Sequence, residues 1–175
     1  MVDASEIRAR EVKNLQNAYH ELKKPLFMLC LSILKDYSLA QDALSEVYVK
    51  IIDGAPSEPV RNKKAWLFTL ARNTSLDMLR KRSRERCVDF DSDTLDIPAD
   101  GGNDIDDANN SLDFKRAISQ FPERDRSIVT LRIFGGLSHK KIADIVGISP
   151  GNVKTRYSRC IKALRKYYEE MQQCL

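Results

Sequence analysis

Glycine and proline are scarce in this chain, 7 and 6 among 175 residues, and aromatic side chains make up only 7% of it. Alternating apolar and polar residues, the mark of a half-buried strand, are hard to find, which leaves an all-α protein as the expected fold class. Long apolar runs are also missing. The longest, "PLFMLCLSIL" from Pro25 to Leu34, is ten residues, far short of the roughly 20 that span a bilayer. The opening "MVDASEIRAREVK" has no features of a signal peptide, so a cytoplasmic protein is expected. The four cysteines (30, 87, 160, 174) have no CxxC or Cys/His ligand spacing, and the two histidines (20 and 139) lie far apart in sequence. Neither a metal site nor a disulfide framework is expected. No nucleophile–base arrangement, acid–base carboxylate pair or Gly-rich phosphate loop is recognisable, so no enzyme, no cofactor and no small-molecule substrate are expected.

Basic residues are absent from one long stretch. Between Cys87 and Asp113 there are nine aspartates (89, 91, 93, 96, 100, 104, 106, 107, 113) and no lysine or arginine. The net charge of +4 hides this segregation: outside the stretch, 29 cations face 16 anions. Two basic bodies flanking an acidic strip suggest a polyanionic partner. The strip contains Pro98, Gly101 and Gly102 and few large apolar residues, so it reads as a flexible linker, and its aspartate spacing does not match an EF-hand loop. The expected layout is a helical domain over 1–86, a linker over 87–110 and a second helical domain over 111–175.

What is present is helical periodicity. Ile7, Leu15, Ala18, Tyr19 and Leu22 recur at near-helical spacing, Pro25 breaks or restarts the helix, and an apolar core helix follows. "DYS" supplies a turn and a capping serine before a helix over about 39–52, with Leu39, Ala43, Leu44, Val47, Tyr48 and Ile51 on one face and Gln41, Asp42, Ser45, Glu46 and Lys50 on the other. A loop broken by Gly54, Pro56 and Pro59 leads into a long helix over about 64–85, whose apolar stripe is Leu67, Leu70, Ala71, Thr74 and Met78. Four more helices are expected over about 111–120, 122–134, 138–146 and 150–169.

The last two form a helix-turn-helix. In "SHKKIADIVGISPGNVKTRYSRC", Ser138 caps the first helix, Gly147 supplies the left-handed residue that ends it, Ile148 plugs the angle, and Ser149-Pro150 starts the second. At about 100° per residue, one face of that second helix buries Val153, Tyr157, Cys160, Ile161 and Leu164. The opposite face and its flanks carry Asn152, Lys154, Thr155, Arg156, Arg159, Lys162 and Lys166. A helix entering the major groove needs small polar groups near base edges and cations toward phosphates. Asn152, Lys154, Thr155 and Arg156 are placed for bases, and Arg159, Lys162 and Lys166 for the backbone. A second basic helix, with Arg72, Asn73, Arg80, Lys81, Arg82 and Arg84, is suited to tracking phosphates. The loop before it, with Arg61, Asn62, Lys63 and Lys64, is suited to holding a single strand, and Trp66 is either a stacking platform for an unpaired base or part of the core.

Taken together, "DYSLAQDALSEVYVKII", "KKAWLFTLARNTSLDMLRKRSRE", "FPERDRSIVTLR" and "IFGGLSHKKIADIVGISPGNVKTRYSRCIKALRK" resemble the extracytoplasmic function (group IV) sigma factors of bacterial RNA polymerase, over about residues 10–86 and 111–168. The resemblance implies two helical domains, sigma regions 2 and 4, in a subunit that binds core RNA polymerase and directs it to promoter DNA. It implies a polymerase contact at Gln41, Asp42, Ser45, Glu46 and Lys50. It assigns −10 recognition and melting to the loop and helix bearing Arg61, Asn62, Lys63, Lys64, Arg72, Asn73, Arg80 and Lys81. The −35 element falls to Asn152, Lys154, Thr155, Arg156, Arg159 and Lys162. It also implies an anti-sigma factor as partner, in many relatives a membrane protein. Two departures stand out: His139-Lys140-Lys141 where acidic residues are common, and Phe121 where leucine is usual. The alternative reading is a stand-alone helix-turn-helix regulator.

Overall fold

The computed structural model describes residues 4–54, 56, 58–86, 114 and 116–173, except the side chains of 4, 85, 86, 171 and 173. The acidic linker expected over 87–110 lies outside the described residues. Six helices account for most of what is described: α1 (Ala4–Leu34), α2 (Tyr37–Gly54), α3 (Lys63–Arg86), α4 (Glu123–Ile133), α5 (His139–Val146) and α6 (Pro150–Gln173). A further helical turn at 116–119 precedes α4.

Helix α1 runs unbroken through Pro25, where a break was expected. Proline removes one N–H and leaves the carbonyl four residues back, that of Glu21, without its helical partner. Glu21, Lys23 and Lys24 are exposed, so water can satisfy that carbonyl, while Leu26 and Leu29 on the next turn are fully buried and hold the helix in line. The helix ends at Lys35, whose φ of 59° is the left-handed conformation usually left to glycine. Its N–H donates to the Leu31 carbonyl at 2.9 Å. The following cap is Asp36 rather than Ser38: Asp36 Oδ1 accepts from the Leu39 N–H at 3.0 Å, and a carboxylate there also favours the positive helix start.

The first three helices enclose Leu15, Tyr19, Leu26, Leu29, Ile33, Ala43, Val47, Ile51, Leu67, Phe68 and Ala71. The Tyr19 hydroxyl donates to the Leu44 carbonyl at 3.1 Å, fixing α1 against α2. On α3 the expected stripe residues Leu67, Ala71 and Thr74 are buried, but the stripe extends to one side of them. Phe68 and Ser75 are fully buried, and Leu70 and Met78 are only half-buried.

Helix α4 is buried at seven consecutive positions, Asp125 to Leu131. No single face explains that: α4 packs on α1 with one side and on α5 and α6 with the other. Ile128, Leu131, Leu137, Ile142 and Val153 thereby join the same apolar cluster as Leu29 and Phe68. Gly135 sits where the two groups of helices come close. A Cβ there would lie 2.5 Å from the Leu131 carbonyl oxygen and 3.2 Å from Phe68 Cζ. The two groups of helices that sequence separates are thus in direct contact.

Arg126 fastens that contact. It is 7% exposed, and its guanidinium donates to the carbonyls of Ser32 and Ile33 in the last turn of α1 and to that of Phe121. Last-turn carbonyls have no helical partner, and a cation at a helix C-terminus also meets the negative end of the dipole. Burial pulls the Arg126 pKa down from its usual value, and nearby Glu123 opposes that shift.

Candidate nucleic-acid interface

The helix-turn-helix forms through local signals. Ser138 Oγ accepts from the Lys141 N–H, Gly147 at φ 73° ends α5, and Ser149 Oγ accepts from the Asn152 N–H at 3.2 Å to start α6. Ile142, Ala143, Ile145, Val146 and Val153 are buried between the helices. The outer face of α6 is left to solvent. Asn152, Lys154, Thr155, Arg159, Lys162 and Lys166 are exposed, and Lys140 and Lys141 of α5 are exposed nearby in sequence. Arg156 is different: it is half-buried, and its Nη1 lies 2.8 Å from Asp125 Oδ1.

The second basic region is built around α3. Asn62 caps that helix, its Oδ1 accepting from the Ala65 N–H at 2.9 Å. The loop before it is tied to α1 by Glu11, which is 4% exposed, accepts from the Val60 N–H at 3.0 Å and lies 3.7 Å from Lys63 Nζ. Arg61, Asn73, Arg80 and Lys81 are exposed and Lys64 is half-buried. Trp66 is half-buried against the apolar cluster, which favours its core reading. Arg72 is buried, with Nη2 at 3.3 Å from Glu123 Oε1 at the start of α4. In this arrangement Arg72 faces the second half of the chain, not solvent.

The outer face of α2 presents Gln41, Asp42, Ser45 and Glu46 to solvent, while Lys50 is half-buried between Glu46 (2.7 Å) and Thr74 Oγ1 (3.1 Å). Val49 and Ile52 are also exposed, at 53% and 44%. Positions 42, 45, 49 and 52 lie at i, i+3, i+7 and i+10, so the polar stripe continues into two bare apolar residues.

Sequence reasoning did not single out Glu11, Glu123, Asp125 or Arg126 as structural partners of the basic residues. Glu11 had a signal, since it falls four residues after Ile7 and four before Leu15, inside an apolar stripe. The other three lie within "FPERDR", where charge alone does not tell a surface turn from a buried one. Among the described residues, no group of three or more His, Cys, Asp or Glu is gathered as metal ligands, and no helix is long and apolar enough to cross a membrane. Cys30 and Cys160 are buried free thiols, and burial pushes each up to about 11.

Comparison with known proteins gives two matches in chain order. Residues 18–85 match Sigma-70 region 2, and residues 111–164 match Sigma-70, region 4. RNA polymerase sigma factor SigV of Bacillus subtilis is 30% identical over 146 residues, covering 82% of this chain and 84% of that protein. ECF RNA polymerase sigma factor SigX of the same organism is 28% identical over 165 residues, covering 89% of this chain and 82% of its own length. Among solved structures, the sigma factor RpoE of Bartonella quintana, crystallised with the anti-sigma factor NepR, superposes with a TM-score of 0.71 at 25% identity, covering 90% of this chain and 98% of that one.

Proposed function

The chain belongs to the sigma-70 family of RNA polymerase sigma factors, in its ECF branch, and on that footing we propose that it is a bacterial polymerase subunit that binds core enzyme and directs promoter-specific initiation. It contributes binding and duplex opening, and the polymerase contributes the catalysis. The supporting observation is the exposed face of α6, where Asn152, Lys154, Thr155, Arg159 and Lys162 stand on a capped helix-turn-helix, following a region 2 match in the order such a subunit needs.

The proposed division is region 2 over 1–86, a linker over 87–110 and region 4 over 111–175. Region 4 would read the −35 element, with Asn152, Lys154, Thr155 and Arg156 at base edges and Arg159 and Lys162 on phosphates. Region 2 would meet the −10 element with Arg61, Asn62, Lys63, Lys64, Arg72, Asn73, Arg80 and Lys81. Since Arg72 lies under Glu123, its use requires α3 and α4 to part when the chain docks on polymerase. The polymerase contact is placed on Gln41, Asp42, Ser45, Glu46 and Lys50, with Val49 and Ile52 as its apolar centre. An anti-sigma factor is a proposed further partner, as NepR is for the Bartonella protein. The proposed site of action is the cytoplasm, where polymerase is.

Transcription with purified bacterial core polymerase and genomic fragments tests this reading. Discrete promoter-specific transcripts that require the chain are expected. A chain that neither associates with core enzyme nor supports any specific start would overturn it.

A further inference from the structure

Asp125 is an unusual residue to bury. It lies in the first turn of α4, its carboxylate is 5% exposed, and both of its oxygens face arginines of α6. Oδ1 lies 2.8 Å from Arg156 Nη1, and Oδ2 lies 3.7 Å from Arg159 Nη2. Those arginines keep much of their own surface, with side chains 36% and 69% exposed. One end of each pair is therefore anchored in protein while the other is open to a ligand.

The anchor is rigid. Val129, one turn after Asp125 on α4, and Cys160, one turn after Arg156 on α6, are both buried in a single apolar cluster with Ala117, Ile118 and Leu164. The charge pair thus sits one turn beyond a packed helix–helix contact. Behind it, the Cys160 thiol is raised to about 11 by burial first and by the Asp125 charge second.

We infer that Asp125 is a positioning residue for promoter reading: its buried carboxylate holds the Arg156 guanidinium in place before DNA arrives. The inference rests on α6 being the −35 reading helix. An unrestrained arginine gives up most of its rotamer freedom when it forms a base contact, whereas one already held by a carboxylate gives up less. A single charge-assisted bond engages Nη1, narrows the orientations open to the planar fork, and leaves the Nε/Nη2 edge for bidentate recognition of a base edge. Arg159, farther away and more exposed, receives charge balance more than orientation.

The test uses holoenzyme reconstituted from bacterial core polymerase and the full chain, with a pool of random-sequence duplexes as the probe. Bound duplexes are sequenced for the wild type, Asp125→Asn, Arg156→Ala and the double variant. The wild type is expected to enrich an upstream element. Arg156→Ala should flatten preference at one or two base pairs of it. Asp125→Asn should lower preference at those same base pairs by about three- to tenfold, a part of the bidentate discrimination. The double variant should be no weaker there than Arg156→Ala alone, because Asp125 acts through Arg156. A purely structural role would instead lower binding at every base pair and in both backgrounds.

Asp125→Asn preference equal to wild type, or losses that multiply in the double variant, would overturn the inference while leaving the sigma reading intact. If wild-type holoenzyme enriches no sequence, the sigma reading fails and the inference with it. Should Asp125→Asn not fold, side-chain NMR of the free wild-type chain decides: hindered rotation of the Arg156 guanidinium is expected, and free rotation overturns the role.

Discussion

Arg72 Nη2 lies 3.3 Å from Glu123 Oε1, and this ion pair joins the basic helix of the first half to the first turn of α4. Arg72 is 11% exposed at its side chain and Glu123 is 26% exposed. A residue proposed to meet promoter DNA is therefore already neutralised by a carboxylate from its own chain. Docking on DNA and the Glu123 carboxylate of α4 compete for the same guanidinium.

Glu123→Gln is expected to loosen that contact at a stability cost of only about 0.5–1 kcal/mol, since the pair is partly screened by solvent. Fluorescent labels at Ser83 and Lys166, on exposed parts of α3 and α6, report it. The distance distribution in the free full chain should broaden in the variant. A distribution identical to wild type would show that Arg126 and the apolar packing hold the halves together without this ion pair.

Arg126 joins the two halves at a second place, the last turn of α1, and its loss is more costly because three carbonyls depend on it. Arg126→Met keeps most of the stem but strips three carbonyls, those of Ser32, Ile33 and Phe121, of their donor. Unpaired buried acceptors cost about 1–3 kcal/mol each before relaxation and water entry, so a net loss of about 2–4 kcal/mol is expected. Urea titration of the full chain measures it. Arg126→Lys should recover little, because an ammonium cannot spread its donors over carbonyls on two segments as the planar fork does.

Glycines 135 and 151 offer an internal contrast. A Cβ at Gly135 would press on the Leu131 carbonyl and on Phe68, whereas one at Gly151 meets nothing within 4 Å. Gly135→Ala is expected to destabilise by about 1–3 kcal/mol through overpacking. Gly151→Ala, in the first turn of α6, should be neutral or stabilising by up to about 1 kcal/mol. Thermal melts of the two variants side by side give the comparison.

These residues also show what was legible from sequence and what was not. The helix-turn-helix could be read because its signals are local: Ser138, Gly147, Ser149 and Pro150 act within a few residues of themselves, and each does so in the structure. The order of the helices followed from apolar spacing. Pro25 misled because a proline's effect depends on whether the freed carbonyl reaches water, which sequence does not state. The partners of Arg72, Arg126 and Arg156 were illegible for a similar reason. Glu123 is 51 residues from Arg72 and Ser32 is 94 from Arg126, so no periodicity connects them. Helix α4 opens on the charged run "ERDR", and only its position between α1 and α6 explains why Asp125 and Arg126 are buried.

The two buried thiols make the fold sensitive to alkali. Cys30 and Cys160 are each raised from 9.0 to about 11, chiefly by burial. In the unfolded chain both ionise as pH passes about 9, while in the folded chain they hold their protons until about 11. The unfolded state therefore binds fewer protons in that window, and stability falls as pH rises through it. Below pH 9 the contribution is fully present. Urea midpoints measured at several values between pH 8 and 11 should decline, and the decline should be shallower in Cys30→Ala and in Cys160→Ala once each is referred to its own value at pH 8. Equal slopes in all three proteins would mean that other groups set the alkaline limit.

The exposed stripe of α2 carries the last prediction. Asp42 and Glu46 are solvent-facing, and Val49 and Ile52 continue the same face, 53% and 44% exposed. Charge reversal at Asp42 and Glu46 should cost the fold little, because the Glu46–Lys50 pair is an exposed i,i+4 bridge worth a few tenths of a kcal/mol. Its effect on association with core polymerase should be large if this face is the docking surface, since reversed rim charges repel a complementary partner. Val49→Asp probes the apolar centre separately. Pull-down with core polymerase is expected to fail for both variants while binding of the full chain to duplex DNA persists. Normal recovery of core enzyme by the double charge reversal and by Val49→Asp would place the docking surface elsewhere on the molecule.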